Sequence, residues 1–235
     1  MSGCRNHLSQ KEVISQTIET MDSLQSYSMI LSVNITQNGV IQKFNVHLDY
    51  VTPDQMYMIS IDETESFEVI RIGEIEYYRQ TRNDEWQERV NTESSKPFIF
   101  NNPFSEFLKH LENVKQLENK IKDNKECFHY IGSIDMDEKV EYEKMQLDPS
   151  LSDYTKRLQA IEGYTQWEIM VELWIDQQDF TIKYMLVKQN KINTENTHQE
   201  TAGEDFSFIN ALYRIVNINH LEKIESPLIF PHDYR

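Results

Sequence analysis

The sequence is poor in glycine and proline, with six of each among 235 residues. Its turns must therefore depend largely on asparagine, aspartate and serine, whose short side chains hydrogen-bond to nearby backbone groups. Low-complexity linkers are missing as well, and nothing in the composition marks a domain boundary. We therefore expect residues 9–235 to form a single domain, preceded by a short tether at residues 1–8.

Long apolar runs and an excess of basic residues are also missing. No stretch approaches the roughly 18 apolar residues that a membrane-spanning helix needs. The 23 basic residues are outnumbered by 39 acidic ones, which gives a formal net charge of −16. Binding to nucleic acid requires clustered lysine and arginine, so this charge argues against a nucleic-acid partner.

The sequence contains none of the short motifs that mark common active sites, such as G-x-S-x-G, H-E-x-x-H or G-x-G-x-x-G. No two of its seven histidines have the i, i+4 spacing that places two metal ligands on one helical face. Residues 135–138 begin like a calcium loop, but Val140 replaces the turn glycine and Gln146 the bidentate glutamate. We therefore expect no enzymatic activity, no cofactor and no bound metal.

The composition is nevertheless that of a folded protein, with 39% hydrophobic and 11% aromatic residues. Two segments have the 3.6-residue period of amphipathic helices. The first begins at a capping box formed by Ser9 and Glu12, and its apolar residues are Val13, Ile14, Ile18, Met21 and Leu24. The second follows Asn102-Pro103, and its apolar residues are Phe104, Phe107, Leu108, Leu111 and Val114.

Most of the remaining chain alternates between apolar and polar residues, as strands with one buried face do. In residues 40–50 the apolar face comprises Val40, Phe44, Val46, Leu48 and Tyr50. Further strands are predicted at residues 56–61, 67–72, 75–80, 86–90, 127–135, 167–176, 180–187 and 206–217. Their mostly short connections can join only antiparallel neighbours. Residues 136–166 and 190–204 are polar interruptions, and we interpret the first as an excursion over a cavity or a sheet edge.

The predicted sheet has more apolar area than two helices can cover. A strongly curved antiparallel sheet around a few helices leaves space between its layers, and such space can hold apolar ligands. Several methionines lie on the predicted strands, namely Met29, Met56, Met58, Met170 and Met185. Methionine is flexible enough to line a variable pocket, although it also fills gaps in ordinary cores.

The chain contains, in this order, a helix ending at residues 21–27, Pro53-Asp54 in an early turn, Gly73 and Tyr77-Tyr78, Trp86, and a hairpin at Trp174-Ile175-Asp176. The order of these features resembles the LolA-like superfamily, and within it the LppX and LprG lipoproteins and similar lipoproteins of Gram-positive bacteria. The resemblance implies an α+β fold in which a strongly curved antiparallel sheet, an unclosed β-barrel, wraps around a few helices. For the characterised members it implies carriage of lipids, lipoproteins or lipoglycans.

The first residues also carry information about location. Ser2-Gly3-Cys4 resembles the end of a lipobox, in which Cys4 would be the lipid-bearing residue of a bacterial lipoprotein. The protein would then be extracytoplasmic and held at the cell membrane by N-terminal acylation only. An ordinary terminus, or a disulfide between Cys4 and Cys127, is the alternative.

These observations favour a membrane-anchored binding protein that holds a lipid or another hydrophobic small molecule in the concave face of a half-barrel. Phe44, Val46, Leu48, Met56 and Met58 would form one wall, and Trp167, Ile169 and Val171 the other. Phe107, Leu108 and Leu111 would form a helical lid or plug. The alternative is a non-enzymatic interaction module of the cell envelope, with a filled barrel and a protein partner.

Overall fold

The computed structural model describes residues 8–37, 39–52, 54–60, 67–73, 75–90, 103–134, 167–191 and 206–227. These residues form two helices, α1 (Gln10–Asp22) and α2 (Pro103–Lys109). They also form twelve strands: β1 (Ser26–Gln37), β2 (Val40–Val51), β3 (Gln55–Ser60), β4 (Glu68–Ile72), β5 (Ile75–Arg79), β6 (Gln87–Val90), β7 (Leu111–Gln116), β8 (Lys120–Lys122), β9 (Lys125–Ile134), β10 (Trp167–Asp176), β11 (Ile182–Lys191) and β12 (Phe206–Val216). No helix in these ranges is long and apolar enough to cross a membrane.

All twelve strands belong to one antiparallel sheet with two meanders, β1 to β6 and β9 to β12. Pairing between β1 and β12 joins the meanders, from Ser28 opposite Val216 to Gln37 opposite Phe206. The short strands β7 and β8 both pair with the outer edge of β9. The outermost described strands, β6 and β7, do not pair with each other, so the sheet stays open. This architecture confirms the predicted unclosed barrel of the α+β class, which we call the half-barrel.

Helix α1 begins where the sequence predicts it. The Ser9 backbone N–H donates to Glu12 Oε2 at 2.7 Å, and the Glu12 backbone N–H donates to Ser9 Oγ at 3.3 Å. The Ser9 side chain and the Ser9 backbone N–H both hydrogen-bond to the Glu12 carboxylate and favour its ionised form, which lowers the pKa of Glu12. The capping box is therefore complete, and it satisfies amide groups that would otherwise lack partners.

The buried stripe of α1 differs from the predicted one. It consists of Val13, Thr17 and Met21, whereas Ile14 and Ile18 are only partly buried. Thr17 is tolerated inside because its hydroxyl donates to the Val13 carbonyl at 2.8 Å. The side of α1 that faces the sheet is therefore shifted by about one residue from the side that carries the predicted apolar stripe.

Strands β1 and β2 form a hairpin that is paired along its whole length, with Gln37 opposite Val40 at the tip. Gly39 has a φ of +78° in the two-residue loop, a conformation that suits glycine. The predicted alternation is correct for Val46 and Leu48, which are buried, but Val40 is 61% exposed. The reason is that β3 pairs only with residues 46–51, so the tip extends beyond its neighbour.

Helix α2 ends earlier than the sequence predicts, after only seven residues. Leu111 and Val114 belong to strand β7, and Leu111 lies opposite Ile134 of β9. Apolar residues three or four apart fit a helix, but the edge of β9 offers backbone groups that need hydrogen-bond partners. Pairing with that edge therefore overrides the helical period from residue 111 onward.

The hairpin between β8 and β9 is also missing from the sequence-based prediction. Its turn contains Asp123 and Asn124 with φ of +48° and +61°, and asparagine and aspartate are the residues that best tolerate this conformation after glycine. Adjacent Asp-Asn between two lysine-containing segments was the available indication of this turn. The flanking strands are too short and polar to show a period.

The two polar interruptions lie mostly outside the described residues, which omit residues 135–166 and 192–205. They connect strands at one end of the half-barrel, where β1 ends and β2 begins. We call this end the upper end. Cys4 is also outside the described residues, whereas Cys127 is a buried free thiol, so the disulfide alternative is wrong. Burial raises the pKa of the Cys127 thiol.

Gly132 of β9 lies close to the edge strand β7. A Cβ atom at this position would lie 2.8 Å from the Glu112 carbonyl oxygen and 2.9 Å from Leu111 Cδ1. We expect Gly132→Ala to lower the free energy of unfolding by about 1–3 kcal/mol through overpacking, as measured by urea denaturation. Hydrogen exchange should accelerate at the β7 amides. Unchanged protection of β7 would contradict this assignment of the contact.

A polar cluster lies on the face of the β1–β2 hairpin opposite to Val46 and Leu48. Its contribution to stability depends on pH. His47 Nε2 lies 3.0 Å from Asp49 Oδ1, and the Ser28 hydroxyl donates to the same oxygen at 2.5 Å. The hydrogen bond to Asp49 raises the pKa of His47. Burial alone would raise the pKa of Asp49, but the hydrogen bonds from His47 and Ser28 outweigh it and lower that pKa.

The direction of the His47 pKa shift determines how the stability of the protein changes with pH. The folded-state pKa of His47 lies above its ordinary value of 6.5, so its stabilisation is complete below that pH and is lost as the pH rises through the folded-state pKa. We expect the wild-type free energy of unfolding to fall by up to about 1 kcal/mol between about pH 6 and about pH 8, relative to His47→Gln. Denaturation at several pH values measures this, and a difference that is constant with pH would contradict it.

Candidate ligand-binding face

Alternate residues of five neighbouring strands, β10, β11, β12, β1 and β2, build one continuous apolar face. Directly paired residues of antiparallel strands share a face, so rows can be followed across the sheet. One row consists of Leu173, Met185, Tyr213, Leu31 and Val46, and the next of Val171, Val187, Ala211, Val33 and Phe44. All of these residues are buried except Phe44, which is partly buried. We call this the concave face, because the helices pack against it.

The two helices fill the lower part of the concave face. Val13 and Met21 of α1, and Phe104 and Leu108 of α2, belong to the same core cluster as the strand residues. Phe104 is fully buried, and its ring meets the rings of Tyr27 and Tyr213 edge-on, at centroid distances of 6.0 and 5.9 Å. Burial of each such side chain contributes about 1.5–3 kcal/mol. The helices therefore act as a tightly packed plug at this level.

The two tyrosines that contact Phe104 of the plug are electrically neutral. Burial raises the pKa of Tyr213 to about 12, and burial together with neighbouring Tyr50 raises the pKa of Tyr27. Both phenols therefore keep their protons at physiological pH. Throughout the described ranges, no group of three or more His, Cys, Asp or Glu side chains could hold a metal ion. This part of the face therefore presents apolar side chains and neutral hydroxyl groups.

The apolar surface continues past the helices at the upper end. Ile35 lies opposite Ile209, and both pack against the core while remaining partly exposed. Phe44 is likewise only partly buried, and Val40 is 61% exposed. We call Ile35, Val40, Phe44 and Ile209 the upper ledge. These four side chains are more exposed than the residues of the two buried rows, and Gln42 and Gln189 lie opposite Ile35 and Ile209 on the same face.

The structure places ten of the eleven predicted cavity residues at two levels of burial. Seven belong to the buried core cluster: Val46, Leu48, Met56, Phe107, Leu108, Ile169 and Val171. Three are partly buried against that cluster: Phe44, Met58 and Leu111. Trp167 is the first residue of β10, but its side chain, like Cys4, lies outside the described residues. Leu111 lies on the edge strand β7, so its predicted place in a helical lid is wrong.

Sequence reasoning missed several residues of this face, including Tyr27, Ile35, Ile209 and Tyr213. All four lie on alternating strands, so a period of two was available to find them. What was missing was the pairing of β1 with β12, which aligns their apolar positions. Without that register, no residue of β12 could be assigned to the same wall as β1.

Comparisons with known proteins support the fold. No family profile and no curated protein matches the sequence. Among solved structures, the Mycobacterium tuberculosis lipoprotein LppX is 13% identical, with a match covering 92% of this chain and 100% of LppX at a TM-score of 0.53. LprF from Mycobacterium bovis is 11% identical, covering 92% of this chain and 96% of LprF, at a TM-score of 0.55.

A LolA superfamily protein from Nitrosomonas europaea is 10% identical over 97% of this chain and 100% of its own length, but its TM-score of 0.33 is too low to support an argument. The similarity to LppX and LprF confirms the predicted resemblance at the level of the fold. At identities of 11% and 13%, the similarity shows a shared fold and not a shared function, because one fold can serve many functions.

The plug can be tested at Phe104. We expect Phe104→Ala to lower the free energy of unfolding by about 3–5 kcal/mol, because it removes a fully buried ring between two tyrosines. Phe67, which is 37% exposed, supplies the control, and Phe67→Ala should cost less than about 1 kcal/mol. Urea denaturation measures both. Equal effects would show that Phe104 is not a central packing residue.

Proposed function

We propose that this protein is an extracytoplasmic, lipid-anchored binding protein that holds a lipid or another hydrophobic molecule against the concave face of its half-barrel. The observation that carries the proposal is the upper ledge. Its four apolar side chains extend the buried face and remain accessible, with Val40 61% exposed, while Gln42 and Gln189 lie beside Ile35 and Ile209 on the same face. Burial of this surface by an apolar ligand would be favourable, at about 25 cal/mol per Å².

The ledge leads directly into the buried wall. Phe44 of the ledge lies opposite Val33, and Val46 and Leu48 follow on the same face of β2. A ligand longer than the ledge would need space now occupied by helix side chains, among them Phe107 and Leu108. Methionine side chains next to this wall, Met56 and Met58, are flexible enough to adjust to its shape. We therefore propose that ligands enter at the ledge and extend downward as α2 side chains move.

The membrane anchor is part of the same proposal. Cys4 would carry the acyl chains, residues 1–8 would act as the tether and residues 9–235 as one binding domain. Each buried methylene contributes about 0.8 kcal/mol, so two or three chains would hold the protein stably at the membrane. Residues 5–7 separate Cys4 from Leu8, where the described chain begins, so the two Cα atoms lie at most about 14 Å apart. The role we propose is non-enzymatic.

Native mass spectrometry of protein purified from its own host tests whether a ligand is carried. We expect a co-purifying apolar molecule that is released by organic solvent. A protein that is free of ligand would count heavily against the proposal, since the carrier would then be a filled barrel.

Substitutions on one strand can locate the site. We expect Ile35→Gln combined with Ile209→Gln to weaken binding of the fluorescent probe N-phenyl-1-naphthylamine by roughly tenfold, because both changes place polar groups on the ledge. Ile30→Gln is the matched control, since Ile30 is also partly buried but lies on the opposite face of β1. Equal loss of probe binding in both proteins would contradict a site on the concave face.

A second candidate function is an interaction module of the cell envelope whose barrel is permanently filled. The tight packing of Phe104 between Tyr27 and Tyr213 favours it, because this packing leaves the lower concavity occupied. Such a module would need a protein partner in stoichiometric amount. Pull-down from detergent-solubilised membranes therefore discriminates the two functions.

A further inference from the structure

Charge is distributed very unevenly over this acidic protein. Four neighbouring strands at the centre of the sheet, β11, β12, β1 and β2, contain 45 residues with five basic side chains and one acidic side chain. The other 190 residues contain 18 basic and 38 acidic side chains. The central strands therefore carry a formal charge of +4, and the rest of the chain carries −20.

The convex face of these strands presents a compact set of polar and basic residues. One row across the sheet runs from Lys188 through Asn210 and Asn34 to Lys43. At a strand spacing of about 4.8 Å, the Cα atoms of the two lysines are about 14 Å apart. The next row contains Leu212 and Ser32 side by side. We call Ser32, Asn34, Lys43, Lys188, Asn210 and Leu212 the acid-free panel.

The panel is accessible and its charge is available. Lys43 is exposed, and Leu212 is 37% exposed at the centre of the panel. Neither Lys43 nor Lys188 forms a salt bridge with any residue that the structure describes. Arg214, one row below, differs because its guanidinium lies 3.2 Å from Asp123 and above the ring of Tyr184. Glu168 and Glu172 of the adjoining strand β10 lie on the same face, diagonally across from Lys188, since Met170 is opposite Lys188. The panel itself thus carries two lysines and no acidic residue, and acidic residues border it on the β10 side.

We propose that the acid-free panel docks the acidic surface of a partner protein. The charge of −20 elsewhere on the chain would repel such a partner, so the panel is where it can approach closely. An apolar centre at Leu212 with lysines and amides around it also matches the anatomy of protein interfaces, in which a polar rim surrounds an apolar core. The panel thus has the sign of charge opposite to that of the molecule as a whole.

Two other occupants fit the observations less well. A second copy docked panel to panel would bring lysine against lysine. An anionic membrane would have to reach the convex face, whereas Leu8, the first described residue after the proposed tether, packs with α1 on the concave face. An acidic protein is consistent with both constraints, and it can bind while the concave face holds a ligand, because alternate residues of the same strands serve the two faces.

Selection from a displayed library of random peptides of about twelve residues tests the proposal on the full chain. The chain with Lys43→Glu and Lys188→Glu serves for counter-selection. We expect the recovered peptides to combine Asp or Glu with an apolar residue. Fluorescence anisotropy should show that they bind the double variant at least roughly tenfold more weakly than wild type, and that salt weakens wild-type binding.

Two variants and one lipid probe complete the test. Lys115→Glu makes the same charge change at an exposed position on the edge strand β7 and should leave peptide affinity unchanged. Leu212→Asp should abolish peptide binding, while Ile35→Gln on the concave face should not affect it, which separates this proposal from that of the ligand site. Failure to recover acidic peptides, or equal binding to the double variant, would overturn the proposal. Binding of wild type, but not the double variant, to phosphatidylglycerol vesicles would overturn it in favour of a lipid surface.

Discussion

The antiparallel pairing of β1 with β12 is the contact on which the rest of this structure depends. It joins residues about 180 positions apart in sequence, from Ser28 opposite Val216 onward, so closing this long loop is entropically costly. The contact compensates by aligning two apolar rows, in which Leu31 meets Tyr213 and Val33 meets Ala211. Without it, two separate meanders would each leave an apolar face and a strand edge in water.

The same pairing gives the sheet two chemically different faces. Apolar side chains such as Met29 and Leu31 face the helices, while Ser28, Ile30 and Ser32 between them face outward. A one-residue shift in register would exchange the two sets. The proposed ligand face and the proposed docking face therefore share one set of strands, and alternate positions of a single strand can be altered to affect one face and not the other.

Much of the fold could be predicted because its local chemistry is explicit. The capping box at Ser9 and Glu12, the Gly39 turn and the alternation through Val46 and Leu48 each act over a few residues. The strands β7 and β8 could not be found, because both are short and polar and form on an edge that β9 leaves free. Leu111 followed the helical period in sequence yet pairs as a strand, since an unpaired edge is a stronger constraint than periodicity.

The candidate site, like the fold, could be predicted only as far as local patterns in the sequence allow. Alternation identified apolar residues of the concave face, but it could not separate fully buried Val171 from partly exposed Phe44, because exposure depends on how far the helices extend over the sheet. The sequence by itself determined the strand-rich class, the helix start and the acidic net charge, which follow from local patterns and from composition. Only the tertiary structure decided which strands meet, where the apolar surface stays open and where the basic residues gather, because each of these depends on contacts between distant segments.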